Sequence, residues 1–507
     1  MSKQEASSNQ PTEHEPRRLR ADDCIVVDKK EIIKAQLGAG VGNFVEWYDI
    51  AIYGYLAITM TEVFTHGMDE NLGLLVTLLG FAASFLVRPL GGIILGPLGD
   101  RIGRRKVLFF TIMLMAISTT LLGLLPTAEQ VGLWVIVPLY LLKMLQGFST
   151  GGEYSGAATY VAEFSPDRSR GVITSLLNSG SMLGFAAGAA VVAGTTALTT
   201  SWWGEGAMLD GGWRIPFLLA LPLGIGAVAL RSRVPESPGF EEAAEKEAQA
   251  EHADVIFNRQ NLGGILRHYW PQILIGAALI AADSTTSYTL TSYIPTFAER
   301  QAGIATHHTA LAATLILVVQ AGLIPLFAWI SDKIGRRAIY FMATIGNLVL
   351  LFPAFSLILV GEVWALWLGL FMISVPSAAF LAMTGVVMAE LFPTASRYGG
   401  VGVTHNIAVS IFGGTTPLVS EAIVQGSGNP MSPALYVMFF SLVALFAAFR
   451  MRETAKRPLL GSVPVVSNRA EAEALEAGQD ANEYLDTSTM ILTLPDQVVK
   501  VKPKVKD

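Results

Sequence analysis

The sequence predicts an all-α membrane protein, with twelve transmembrane helices in two six-helix pseudo-repeated halves and both termini cytoplasmic. Three observations carry this expectation: scarce charge, the length of the apolar runs, and a loop that occurs twice. Of 507 residues, 52% are hydrophobic and only 15% are charged, whereas soluble domains carry about 25%. A spanning helix needs ~20 mostly apolar residues. Twelve runs qualify, near 36–58, 72–98, 107–126, 132–160, 171–197, 213–233, 270–297, 308–330, 339–360, 363–388, 398–424 and 432–450. The loop Asp100-Arg-Ile-Gly-Arg-Arg after the second run returns as Asp332-Lys-Ile-Gly-Arg-Arg after the eighth, 232 residues on.

A second pair of segments repeats at almost the same spacing. Ala162-Glu163-Phe164-Ser165-Pro166, ending in Arg170-Gly171, is echoed 227 residues later by Ala389-Glu390-Leu391-Phe392-Pro393, ending in Arg397-Tyr398-Gly399. Near-equal offsets imply two parallel halves, which place a binding site between them near mid-membrane. The expected organisation is an N-terminal arm (1–34), a first half (35–233), a linker (234–268), a second half (269–452) and a tail (453–507). The linker is rich in Glu and Ala and reads as a solvated helix. The tail is polar, with Glu471, Glu473, Glu476, Asp480 and Glu483 before Lys500, Lys502, Lys504 and Lys506. It has no apolar heptads, and disorder is the expectation.

Loop charge sets the orientation. Arg101, Arg104, Arg105 and Lys106 follow the second run, Arg168 and Arg170 the fourth, Lys333, Arg336 and Arg337 the eighth, and Arg450, Arg452, Lys456 and Arg457 the last. Segments 59–71, 127–131, 198–212 and 425–431 contain no Lys or Arg. Basic loops stay cytoplasmic. The single Cys24 excludes a disulfide framework, and the seven histidines have no ligand spacing, so no metal site is expected. No cleavable leader is read at the N-terminus. There is no P-loop, triad or metal motif, which argues against an enzyme or an ATP-driven pump. No cofactor and no nucleic acid are expected; the partners are the bilayer, a small solute and protons as coupling ion.

A charge at mid-membrane costs at least ~2.5–3.5 kcal/mol, so it normally faces a cavity or a partner. Glu46 and Asp49 share a face of the first span with Asn43 and Tyr53. Two close carboxylates disfavour joint ionisation, which suits proton pickup; the alternative is a buried ion pair with Arg88 or another basic group that holds the first two spans together. Glu153, beside Tyr154, sits in a Gly-Gly-Glu-Tyr-Ser-Gly string in the fourth span. Lys143 lies about 15 Å before Glu153 along that helix and is placed to pair with another helix. Asp283 opens a polar patch running through Tyr288 in the seventh span, the counterpart of the first. Tyr288 could offer its ring to a quaternary ammonium, whereas Tyr293 reads as a belt residue at the interface. His405 and Asn406 are polar liners of the eleventh span, with a packing role as the first reading of the histidine. Gly180, Gly184 and Gly188 form a ladder for close helix approach.

The doubled loop and twelve-span repeat resemble the major facilitator superfamily, and several strings resemble its metabolite:proton symporters. These are Gly42-Asn43-Phe44-Val45-Glu46-Trp47-Tyr48-Asp49, Arg88-Pro89-Leu90-Gly91-Gly92, Leu145-Gln146-Gly147-Phe148-Ser149 with Gly151-Gly152-Glu153-Tyr154, Gly212-Trp213-Arg214-Ile215-Pro216-Phe217 and Pro235-Glu236-Ser237-Pro238. Ser292-Tyr293-Ile294-Pro295-Thr296-Phe297 and Asn406-Ile407-Ala408-Val409 make the chain most similar to proline/glycine-betaine osmoprotectant transporters. The resemblance implies a multi-pass protein of the inner (plasma) membrane that imports a zwitterionic osmoprotectant by proton symport. Carriers of 2-oxoglutarate, citrate or shikimate share most of these strings and remain the alternative. The resemblance also implies that Asp100, Arg101, Arg104 and Arg105, with Asp332, Arg336 and Arg337, form a cytoplasmic gate rather than bind solute. Such a gate would be built of surface pairs worth about 0–1 kcal/mol each.

Overall fold

The computed structural model describes residues 18–102, 104–151, 153–204, 206–231 and 262–485. Most of the linker and the tail beyond 485, with its four terminal lysines, lie outside the described residues. The helices are α1 (Lys29–Tyr55), α2 (Glu70–Ile102), α3 (Arg104–Leu124), α4 (Ala128–Glu163), α5 (Arg170–Trp203), α6 (Met208–Ala229), α7 (Trp270–Ala302), α8 (Thr306–Ile334), α9 (Arg336–Ile358), α10 (Val363–Leu391), α11 (Ser396–Ser427) and α12 (Ser432–Arg450), followed by the short α13 (Arg469–Gly478). Ten helices among the described residues are long and apolar enough to cross a membrane. The other two of these long helices fall short for local reasons: α1 is diluted by Asn43, Glu46 and Asp49, and the apolar part of α3 is only Phe109–Leu124. Outward faces carry Leu, Ile, Phe and Trp, such as Ile93, Phe109, Trp202 and Phe446, while the polar side chains turn inward.

Close helix approach depends on missing side chains. A Cβ on Gly147 of α4 would overlap the carbonyl oxygen of Ser84 on α2, and one on Gly151 would overlap that of Arg88. Backbones this near gain dispersion contact along their whole length. Gly184 and Gly188 do the same for α5, against Phe44 and Ala51 of α1, as the ladder predicts; Gly180 faces open space. Gly147→Val should therefore wedge α2 from α4 and cost at least the ~1–3 kcal/mol of an overpacked core. A thermal melt in detergent checks this; an unchanged midpoint would contradict the close approach.

Two π-turns re-aim the helices beside the polar residues. One covers Thr289–Tyr293 in α7, the other Val409–Gly413 in α11. Pro295 and Pro417 have no N–H to give the carbonyls four residues back, which are Thr291 and Gly413, so each π-turn sits over a freed acceptor.

The tail departs from expectation. Residues 453–485 are folded beneath the bundle, with strand β2 (Val465–Val466) and α13. β2 pairs in parallel with β1 (Ile25–Val26) of the N-terminal arm. Composition predicted disorder because this segment cannot bury an apolar core of its own; it folds instead on the polar ends of the two halves.

Candidate functional site between the halves

The polar residues of α1 are sorted by partner. Glu46 Oε1 lies 2.9 Å from the Arg88 guanidinium of α2, so the ion-pair alternative describes this residue. Asp49 instead accepts a 2.7 Å hydrogen bond from Thr119 of α3, whose hydroxyl accepts at 2.5 Å from Gln146 of α4. Asp49 Oδ1 has no hydrogen-bond partner among the described residues. Lys143 is buried with its amine 4.3 Å from the centre of the Tyr53 ring, so it does meet another helix. All of these side chains are at most 7% exposed, a depth at which each charge needs compensation within the protein.

Two residues of the expected cavity face are engaged in packing. Asn43 donates to Leu177 O (3.1 Å) and Ser181 Oγ (2.5 Å) of α5 and accepts from Trp47. Tyr53 donates to Thr77 O at 2.9 Å. Both fasten α1 to its neighbours.

In the second half, Asp283 of α7 accepts from Thr384 of α10 at 2.7 Å and from Ser287 at 3.3 Å. Ser287 meets Ser377 at 3.0 Å, and Ser377 accepts from Gln320 of α8 at 2.8 Å. Asp49 and Asp283, on corresponding helices, are thus both held by hydroxyl groups. Buried glutamates elsewhere face guanidinium groups: Glu46 with Arg88, Glu390 with Arg170 and Arg336, and Glu421 with Arg300.

Aromatic rings from both halves meet above Arg88. Tyr288 of α7 lies 5.2 Å from Phe85, 6.4 Å from Phe81 and 6.2 Å from Trp47, between ring centres. The Arg88 guanidinium already sits 4.1 Å from the Phe85 ring centre and 5.8 Å from that of Trp47. This wall therefore accepts a cation. Tyr154 and His405 stack across the halves at 4.4 Å, and Tyr154 donates to Asn178, which donates to Leu381 O of α10. Asn406 is half-buried near Gly92. The Glu153 side chain lies outside the described residues.

Tyr293 is a correction. It is fully buried, and its hydroxyl donates to Glu421 of α11 at 3.2 Å, because the π-turn aims it at the second half's interior rather than at an interface. Glu421 also faces Arg300, which reaches Asn71 at 2.8 Å and Glu70 at 3.5 Å at the start of α2. One end of the bundle is thereby closed across the halves.

The other end, which carries the basic loops, is closed more heavily. Both Asp332 oxygens accept 3.0 Å hydrogen bonds from the first free amides of α5, Gly171 N and Val172 N, so a carboxylate faces a helix N-terminus. Arg336 spans Asp332 and Glu390, Arg170 bonds Asp167 and Glu390, and Arg397 reaches Glu163 at 2.7 Å. These arginines are fully buried between the halves, so they are not the weak surface pairs expected. Arg337 differs: it donates to Ala448 O and Phe449 O, within the second half. The side chains of Asp100, Arg101, Arg104 and Arg105 lie outside the described residues. Arg170, Glu390 and Arg397 were not singled out as site residues, although the echoed connections contain them. Nothing in the pattern marks Thr119 out from its neighbours Ser118 and Thr120, or Thr384 within its apolar run, and Gln146 stands in a string quoted only for the resemblance.

Two helical halves, buried charges at their interface and ion-pair closures at both ends make this the architecture of a membrane transporter of the major facilitator fold. The chain belongs to the sugar (and other) transporter family, which matches residues 35–462. It is a transporter, not an enzyme, and a multi-pass protein of the cell membrane. It is 49% identical to the ectoine/proline transporter ProP of Corynebacterium glutamicum, over 95% of this chain and 96% of that one. It is 37% identical to the glycine betaine/proline/ectoine/pipecolic acid transporter OusA of Dickeya dadantii (92% of each chain). Identity is also 37% to a proline/betaine transporter of Escherichia coli, covering 89% of this chain and 90% of that one. Among solved structures, the proton:xylose symporter XylE bound to 6-bromo-6-deoxy-D-glucose superposes with a TM-score of 0.68 at 19% identity, over 85% of this chain and 98% of that one. At that identity the likeness establishes the fold.

Proposed function

We propose that the protein imports a small zwitterionic osmoprotectant, such as proline, glycine betaine or ectoine, by proton symport through alternating access. The chain crosses the membrane twelve times in this reading, with both termini and the basic loops in the cytoplasm. The observation that carries it is the sorting of buried charge: Glu46 and Arg88 paired beside an aromatic wall, Asp49 and Asp283 held by hydroxyls. A zwitterion can enter that pair by exchange. Its carboxylate draws the Arg88 guanidinium, while its ammonium takes the place of that guanidinium against Trp47, Phe85 and Tyr288 and faces Glu46. A cation–π contact of this kind contributes about 0.5–2 kcal/mol. Asp49 carries the proton, since a hydroxyl-bonded carboxylate can gain a proton without breaking an ion pair. The substrates named for the relatives support the same class of solute. A dicarboxylate would bring a second carboxylate where the zwitterion brings an ammonium, and that group would face Glu46.

Competition in membrane vesicles tests this. Unlabelled proline, betaine and ectoine should displace labelled proline, and citrate, 2-oxoglutarate and shikimate should not. Uptake should collapse under a protonophore and persist without sodium. Displacement by the carboxylates would overturn the solute class, and sodium dependence the coupling ion.

A further inference from the structure

The tail is fastened to both halves within a few residues. On the second half, the Glu453 carboxylate accepts from Arg336 N (2.8 Å) and Arg337 N (3.2 Å) and so caps α9, and Thr454 Oγ1 donates to Glu390 at 2.6 Å. Leu460 O accepts from Thr394 N and from the Arg397 guanidinium, both at 2.9 Å, and Ser462 Oγ lies 2.7 Å from Thr394 Oγ1. Three residues later the partners belong to the first half. Asp167 N donates to Val465 O at 2.9 Å, and Val465 N donates to Asp167 Oδ2 at 3.3 Å. Ile25 N donates to Pro464 O and Val27 N to Val466 O, completing the β1–β2 pair. The arm wraps on along α13, with Ala21 N on Glu476 and Leu19 N on Gln479. Asp167 and Val465 are both buried, and that burial pushes the Asp167 carboxyl up to about 6 against the pull of Arg170 and Val465 N.

We propose that the arm and tail form a strap that locks the cytoplasmic side of the transporter and must part at β1–β2 for solute to be released inward. The reason is reach. Between Ser462 on one half and Val465 on the other, three residues can extend to only about 10 Å, so the cytoplasmic ends of the halves cannot separate while both fastenings hold. The joint that yields is the one on the first half. There the tail is held by non-covalent contacts alone, the two-residue ladder, the exchange with Asp167, the Arg170–Arg457 O bond and the polar contacts of α13 with the arm and Arg168, whereas on the second half it continues covalently from α12 and caps α9. The strap closes over the same latch that Asp332 makes on the N-terminus of α5, and both open together.

This inference rests on the alternating-access reading above, and a reversible cross-link separates the two. In full-length protein with Cys24→Ser, the pair Ile25→Cys and Val465→Cys is placed on adjacent strands, about 4.8 Å apart, within disulfide range. The reduced protein should take up labelled proline. Oxidation should abolish uptake and proline exchange, and reductant should restore both in the same sample, which controls for folding. Transport by the oxidised protein at the reduced rate would overturn the strap; a reduced protein that folds but does not transport proline would instead count against the proposed solute. Val465→Pro removes the N–H donated to Asp167. In hydrogen exchange it should speed the amides of Gly171 and Val172, which the closed latch protects. Unchanged protection there would equally overturn the proposal.

Discussion

Asp49→Asn is expected to abolish accumulation of solute against its gradient while leaving the protein folded and inserted. The asparagine Oδ1 can still accept from Thr119, so the contact with α3 and the Gln146 relay survives. What is lost is the group proposed to gain and lose the coupling proton. In vesicles under an imposed pH gradient, uptake should fall to the level of passive equilibration, while exchange of labelled for unlabelled solute continues. Accumulation at the wild-type level would move the coupling site away from Asp49, with Asp283 the next candidate, held by Thr384 and Ser287 in the corresponding helix.

The second large effect concerns the pair beside the aromatic wall. Arg88→Met takes away the guanidinium facing Glu46, and breaking a buried pair from one side costs about 3–5 kcal/mol. Folded yield and thermal midpoint should both drop. The double variant Glu46→Gln/Arg88→Met removes both charges and should recover most of that stability, since a neutral pair is tolerated where a lone charge is not. Transport should not recover, because the zwitterion loses both of its partners. Recovery of proline uptake in the double variant would reduce the pair to a structural brace between α1 and α2.

The close approaches of α2 to α4 and of α1 to α5 follow from where glycine falls. The polar residues of α1 turn inward to different partners: Glu46 meets Arg88, Asp49 meets Thr119, and Asn43 is spent on α5. Helical period puts residues on one face, but it does not say which neighbouring helix that face meets. The tail folds against expectation for a related reason. Its residues form no core among themselves, and only the shape of the bundle supplies the surface on which Val465, Val466 and Ala472 become buried.

By itself the sequence determined an all-helical membrane fold and a loop that occurs twice in it. Apolar run length and the cost of unpaired backbone in lipid leave a chain little choice but helices. Tertiary structure alone decided which carboxylates are ion-paired and which are only hydroxyl-bonded. It also brought Trp47, Phe85 and Tyr288 together, and it seated Asp332 on the amides of α5. Each of these joins residues far apart in the chain, at distances of a few ångströms, and the energies that separate a proton carrier from a structural ion pair are set at that range.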